Sequence, residues 1–235
     1  MSNEKNRYQK FNFDEYARSC SPDDFLGQTR RTVNGVPVSD EQIKLILNAI
    51  RSALDLKPND TLLDIACGNG ALSHYLFDSC AGYCGVDLSE YLISVAKKNF
   101  EVLPNYRFVQ RGAAEYVRLE PQPEQFTKVL CYGSFQYFPG EDAAEVLRSL
   151  FEKFKSVQTV FLGNLPDRER AEDFYKKGLP TDEELLDCCS QMGTWRTRNE
   201  LAELAGNAGW KVKVSTMPSE FHASHYRLDA LLSRE

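Results

Sequence analysis

Two short stretches hold the residues whose types and spacing suit ligand chemistry: Asp64-Ile-Ala-Cys-Gly-Asn-Gly70 and, downstream, Gly85-Val-Asp-Leu-Ser89. Gly68 and Gly70 let the backbone turn tightly, and their missing side chains let a ligand lie directly on it. Asp87 ends an apolar run, where a carboxylate at the carboxyl edge of a sheet accepts both hydroxyls of a ribose. A dinucleotide-binding turn is the competing reading. Against it, Ser73 stands where G-x-G-x-x-G needs its third glycine, and Asp64 sits just before the turn. A pyrophosphate wants uncrowded amide donors at a positive helix terminus, whereas an acid beside the turn suits a ligand carrying an ammonium and a sulfonium.

Other reactive side chains are few. His222 and His225 lie in the loop Glu220 to His225, which leaves the carboxyl end of the sixth strand, on the same edge as the glycine turn. A histidine titrating near neutrality suits proton removal from an acceptor. His74 falls in the first helix and reads as packing or solvent contact. Tyr137 and Glu220 are candidates for holding an acceptor hydroxyl or amine. Arg30 or Arg31, in a segment before the core, suits a carboxylate through two hydrogen bonds. The seven cysteines include no C-x-x-C pair, and Cys80 and Cys84, which flank a turn, lack a second pair to complete a four-ligand set. No metal site is expected.

These residues need a parallel sheet to bring them together, and the patterning supplies one. Leu62, Leu63 and Ile65 form a short buried strand, followed by a helix from about Asn69 through Phe77 and a strand from Tyr83 to Val86. Ser89 caps a helix Glu90 to Phe100, and Tyr106 to Gln110, Thr127 to Tyr132 and Thr159 to Gly163 read as strands three to five. A helix with Ile43, Leu47, Ile50 and Leu54 on one face spans Asp40 to Leu54, and another spans Glu141 to Phe154. Asn164 to Lys177 and Thr181 to Cys189 read as helical, so about 164–196 is taken as an insertion beside the cleft. A helix from Thr197 to about Gly206 precedes strand six, Trp210 to Thr216, and strand seven, Tyr226 to Leu232. Residues 1–40, rich in aromatics such as Tyr8, Phe11, Phe13, Tyr16 and Phe25, form an N-terminal cap before a domain at 41–235.

Asp64 to Gly70 resembles the first motif of class I S-adenosylmethionine-dependent methyltransferases, and Gly85 to Ser89 resembles their second. The resemblance covers roughly residues 40 to 235. It implies an α/β, Rossmann-like, seven-stranded, mostly parallel sheet with helices on both faces and an antiparallel last strand inserted between strands five and six. It also implies S-adenosyl-L-methionine as cofactor, held by Asp64, Ala66, Cys67, Gly68, Asn69 and Gly70 at the turn and by Asp87 and Leu88 at the second strand. The family often places an acid after the third strand to read adenine; here Ala113 and Ala114 stand there, leaving a backbone amide to serve. Tyr132 to Tyr137 fall where relatives line both cofactor and acceptor, with Gln136 and Tyr137 in that zone. Thr29 to Val38, with Arg30 and Arg31, resembles a cap segment of small-molecule and sugar-modifying bacterial members. The metal-binding acids of catechol-type members and the Asn-Pro-Pro-Tyr of amino-methylating ones are missing. The expected function is methyl transfer to oxygen or nitrogen of a small-molecule acceptor, a sugar or biosynthetic intermediate. The alternatives are a catalytically inactive cofactor-binding regulatory protein and an NAD-dependent oxidoreductase.

Composition narrows the partners. A chain of 235 residues, 42% hydrophobic, buries one good core. Its net charge of -6, with interspersed signs, offers no basic stripe for a nucleic acid. The polar start lacks the apolar region of a signal peptide and no apolar run is long enough for a bilayer, so a cytoplasmic protein with reduced thiols and no membrane partner is expected.

Overall fold

Caps and apolar periodicity decide where the elements begin. The computed structural model describes residues 13–234, so Tyr8 and Phe11 lie outside the described residues. Two short helices, α1 (Phe13–Ser19) and α2 (Phe25–Gln28), and a small hairpin of β1 (Thr32–Val33) and β2 (Val36–Pro37) come first. Next come α3 (Asp40–Leu54), β3 (Thr61–Ile65), a 3-10 turn over Ser73–Ser79, β4 (Gly82–Asp87), α4 (Glu90–Phe100), β5 (Tyr106–Gln110) and α5 (Ala113–Leu119). The second half holds β6 (Lys128–Tyr132), α6 (Gly140–Lys153), β7 (Thr159–Pro166), α7 (Ala171–Phe174), α8 (Asp182–Leu186), α9 (Arg198–Gly206), β8 (Lys211–Ser215) and β9 (Arg227–Ser233). α3 and α4 coincide with the sequence reading because their signals are local: Ser89 Oγ accepts from the Leu92 amide, and Asp55 closes α3 in a left-handed turn.

Seven strands form one sheet in the order β5-β4-β3-β6-β7-β9-β8. All neighbours pair in parallel except β9, which runs antiparallel between β7 and β8, as expected for its fold class. Alternate residues feed two cores. Leu63, Ile65, Val129, Leu162, Leu228 and Ala230 pack with α5, α6 and α9 on one face. Leu62, Tyr83, Leu130, Tyr132 and Phe161 pack with α3, α4 and the 3-10 turn on the other. Asp64 and Asp87 belong to this second face by alternation, so both carboxylates reach the crest where α3 and the cap lie. No helix among the described residues is long and apolar enough to cross a membrane.

Three elements differ from the sequence reading. The helix expected from Asn69 is a 3-10 turn beginning only at Ser73, because Gly70 takes a left-handed φ of 75° and the Asn69 side chain is drawn out to the cap. The helix expected from Asn164 through about Lys177 begins only at Arg168, as a 3-10 turn leading into α7, because β7 continues to Pro166 across a bulge between Leu162 and Leu165. Long-range partners fix that bulge: the Asn164 amide donates to Asp229 Oδ1 at 2.7 Å, and Arg227 Nη1 donates to the Asn164 carbonyl. The expected helix Thr181 to Cys189 shortens to α8, one capped turn closed by Thr181 and Glu184.

Gly163, opposite Tyr132 in the β6–β7 pairing, makes room for that ring: a Cβ there would lie 2.4 Å from Tyr132 Cδ2. Because Tyr132 is buried, Gly163→Ala is expected to lower unfolding free energy by about 1–3 kcal/mol in denaturant titration; an unchanged midpoint would show that the ring has room to move. Burial pushes the Asp229 carboxyl up to about 6, the Asn164 amide offsetting only part of the effect. The folded state then holds this proton more tightly than the unfolded chain, so stability is lost as pH rises through about 4 to 6. Asp229→Asn keeps an acceptor for the Asn164 amide but carries no charge. Its stability relative to the parent is expected to improve by about 1 kcal/mol between pH 5 and pH 8; an equal difference at both pH values would place the titration elsewhere.

Candidate functional site

The carboxyl ends of β3 and β4 are joined by one carboxylate. Past β3 the chain turns through Ala66, at a left-handed φ of 58°, into the elbow Cys67 to Gly70. The Cys67 amide donates to the Val86 carbonyl at 3.0 Å, and the Gly68 amide donates to Asp87 Oδ2 at 2.8 Å. Asp87 Oδ1 accepts from the Ser89 amide at 2.8 Å. Burial raises the Asp87 pKa and these amides pull it back. Each oxygen keeps an acceptor site open beyond these bonds.

Asp64 lies 3% exposed beneath the elbow. Tyr83 donates its hydroxyl to Asp64 Oδ2 at 2.9 Å, and Ser73 donates a short bond to the same oxygen. Burial nevertheless pushes the acid up to about 6, with Arg31 drawing it down and Asp87 raising it. On the other side of Asp87, Leu88 is exposed, and its carbonyl accepts from Gln110 Nε2 at 2.9 Å. Ala113 and Ala114 open α5 beyond it, half-buried, with Gly112 at the N-cap. Glu115 follows in that first helical turn and is turned to Arg111 at 3.8 Å, and the first amides of the helix have no partner within it.

The cap closes over this edge. Thr29 lies against the elbow, so that a Cβ on Gly68 would come 2.9 Å from its methyl group. Asn69 is fully buried, and its Nδ2 donates to the Phe25 carbonyl at 2.9 Å and to Gln28 Oε1 at 3.0 Å. α1 reaches the start of α4: Asp14 Oδ1 accepts from the Tyr91 amide at 3.2 Å and from Ser89 Oγ at 2.5 Å, and the Arg18 guanidinium covers the Tyr91 ring. Arg31 is directed inward, its Nη1 donating to Thr29 Oγ1 at 2.9 Å within electrostatic reach of Asp64 and Tyr132. Arg30 turns the other way, toward the Gln191 carbonyl and the Tyr16 ring.

Of the remaining expected residues, Tyr132 is buried at the end of β6 on the same face as Asp64. Tyr137 is half-buried between cap and insertion, its ring edge-on to Phe13 and its hydroxyl donating to the Gln191 carbonyl at 3.1 Å. His222 and His225 are exposed; His222 Nδ1 meets Gln42 Oε1 of α3 at 3.0 Å, and His225 packs against Tyr226. His74 stacks on Phe100, as packing. The geometry thus brings Arg31, Asp64, Asp87, Tyr132 and the elbow together and leaves both loop histidines at the rim.

Sequence reading missed the polar residues on the β7–β9 side, Asn164, Arg227 and Asp229, although Arg-Leu-Asp at the head of an otherwise apolar strand was a visible signal. It also gave no role to Asn69 as the tie to the cap. Asp187, Cys188 and Cys189 bring a carboxylate and two thiols within 4.8 Å, one donor short of a four-ligand set. A groove lined by Gly82, Asn105, Arg107 and Gln125 opens at the amino ends of the strands, away from these residues.

Comparison with known proteins gives the family. A methyltransferase domain family matches residues 62–156, which include the elbow, Asp87 and Tyr132. The chain is 30% identical over 177 residues to a ubiquinone biosynthesis O-methyltransferase of Pseudomonas paraeruginosa, covering 72% of each chain. It is 36% identical over 64 residues to ribosomal RNA small subunit methyltransferase A of Dehalococcoides mccartyi, but these are 27% of this chain and 22% of that protein. The crystal structure of magnesium protoporphyrin IX methyltransferase from Synechocystis PCC 6803 with bound SAH shares the fold, with a TM-score of 0.59 and 17% identity over 83% of this chain and 84% of that one. With the glycine elbow and its paired carboxylate in the matched region, the chain belongs to the class I S-adenosylmethionine-dependent methyltransferases.

Proposed function

We propose that this protein transfers a methyl group from S-adenosylmethionine to an oxygen or nitrogen of a small molecule. The observation that carries the reading is the pairing of Asp87 with the Gly68 amide, which sets a carboxylate beside a glycine turn at one sheet edge. The residues fit the cofactor. Asp87 would hold the ribose hydroxyls, Asp64 would face the methionine ammonium and Arg31 its carboxylate, with Ala66, Cys67, Asn69 and Gly70 shaping the turn. Leu88, Ala113 and Ala114 would flank the adenine, with backbone amides as its polar partners. When bound, the cofactor supplies a methyl group already activated on a sulfonium.

The chain's own work is then positioning and exclusion of water. Tyr132 and Tyr137 flank the elbow on the acceptor side, and Tyr137 orients the acceptor between cap and insertion. Arg30 belongs to the cap's outer contacts, and His222 or His225 at the rim would take the acceptor proton if one must leave. A small acceptor is favoured by the net charge of -6 and by the ubiquinone relative, whose match is the longer; the ribosomal RNA relative is similar over 64 residues alone.

The cap sets a condition. Thr29 and the Asn69 bonds lie where a nucleoside would rest on Gly68, so the segment Phe25 to Thr29 must shift for the ligand to enter. Calorimetric titration is expected to show binding of S-adenosylmethionine and none of NAD, and mass spectrometry to show S-adenosylhomocysteine release with a panel of small hydroxyl and amine acceptors. Binding without release from any of them would leave a regulatory cofactor-binding protein. Asp87→Ala is expected to weaken cofactor binding by about 1.5–3 kcal/mol, the loss of charge-assisted hydrogen bonds; unchanged affinity would remove Asp87 from the ribose site.

A further inference from the structure

Arg227 is the buried cation that the fold leaves incompletely paired. It is 9% exposed at the start of β9, and no carboxylate among the described residues lies within ion-pairing distance of it. Nη1 donates to the Asn164 carbonyl, the guanidinium lies 5.1 Å from the centre of the Tyr226 ring, and Nε is buried without an acceptor. Desolvating a guanidinium without a counter-charge is costly, so folding alone does not explain its place.

Its surroundings repeat the pattern. Tyr132 Oη and Asn164 Oδ1 are also buried without partners. Tyr132 lies within electrostatic reach of Arg227, Arg31 and Asp229, which places all four side chains in one neighbourhood at the carboxyl ends of β6 and β7. Asp229, on the same strand face two residues on, does not neutralise Arg227. Its Oδ1 takes the Asn164 amide while Arg227 takes the Asn164 carbonyl, so the bulge holds the two charges apart. Two unsatisfied donors, the Arg227 Nε–H and the Tyr132 O–H, therefore stand beside a second inward cation, Arg31.

Resting on the methyltransferase reading, we propose that the methyl acceptor is an organic carboxylate, its carboxyl group read by Arg227 together with the Tyr132 hydroxyl. A carboxylate has two oxygens in one plane, which match a guanidinium edge and a neighbouring hydroxyl. Arg31, beside Asp64, is left for the cofactor's own carboxylate. The Tyr226 ring that meets Arg227 also packs against a small cluster of Ala171, Leu185 and Trp195.

The test uses the full chain saturated with S-adenosylhomocysteine, and two probe pairs: 4-hydroxybenzoate against 4-hydroxybenzamide, and 3-hydroxybutyrate against 3-hydroxybutanamide, followed by ligand-observed NMR. At least one acid is expected to bind tenfold or more tighter than its amide. Arg227→Met should bring that ratio near one while S-adenosylhomocysteine still binds, and Arg227→Lys should restore part of it. Equal binding of acids and amides, no binding of either acid, or a preference that survives Arg227→Met overturns the assignment. So does loss of S-adenosylhomocysteine binding in an Arg227→Met chain that unfolds at the parent's midpoint, since the guanidinium then serves the cofactor. If Arg227→Met does not fold, the acid and amide comparison on the parent decides. Failure of the parent to bind S-adenosylhomocysteine at all defeats the underlying methyltransferase reading instead.

Discussion

A half-buried carboxylate must find donors, and at Asp87 the donors it finds tie three elements to one point. One oxygen takes the Gly68 amide and fixes the elbow; the other takes the Ser89 amide and fixes the entry to α4. Ser89 in turn caps that helix through the Leu92 amide and meets Asp14 of the cap. Elbow, helix start and cap are therefore positioned by a single side chain at the end of β4. A ribose at this carboxylate would share acceptors with the elbow amide rather than displace a counter-ion, which favours a neutral diol over a charged group.

The second face of the sheet carries the remaining polar groups as a buried layer. Ser73, Asp64 and Tyr83 form its β3–β4 end, and Asn164, Arg227 and Asp229 its β7–β9 end, with Arg31 and Tyr132 between. Asp64 and Asp229 are both held near pH 6 by burial. The two ends are satisfied by different means: hydroxyl donors surround Asp64, whereas backbone groups of a bulge separate Asp229 from Arg227.

Much of this was legible in the chain because its signals are local. The strand, elbow and acid follow from Leu62, Leu63, Ile65, Gly68, Gly70 and Asp87, and α3 and α4 follow from apolar spacing and caps. What escaped was set by residues far apart in sequence. Nothing near Asn164 announces that β7 continues past Gly163, because the bulge is held by Arg227 and Asp229 on a strand that forms more than 60 residues later. Nor does the motif at Asn69 reveal that its amide belongs to the cap, which is why a 3-10 turn replaces the expected helix start. The loop with His222 and His225 does leave the right edge, yet its side chains turn outward to Gln42 and Tyr226, a choice made by packing alone.

The tie from Asn69 to Phe25 and Gln28 also has a thermodynamic side. Two neutral hydrogen bonds contribute about 1–3 kcal/mol between them, and the Phe25–Phe100 contact and the packing of Leu26 on the core add to this, so the uncovered elbow is a minor population. Any nucleoside that settles there is weakened in apparent affinity by that same fraction, and a substitution loosening the Asn69 clasp would tighten binding without adding a single contact to the ligand.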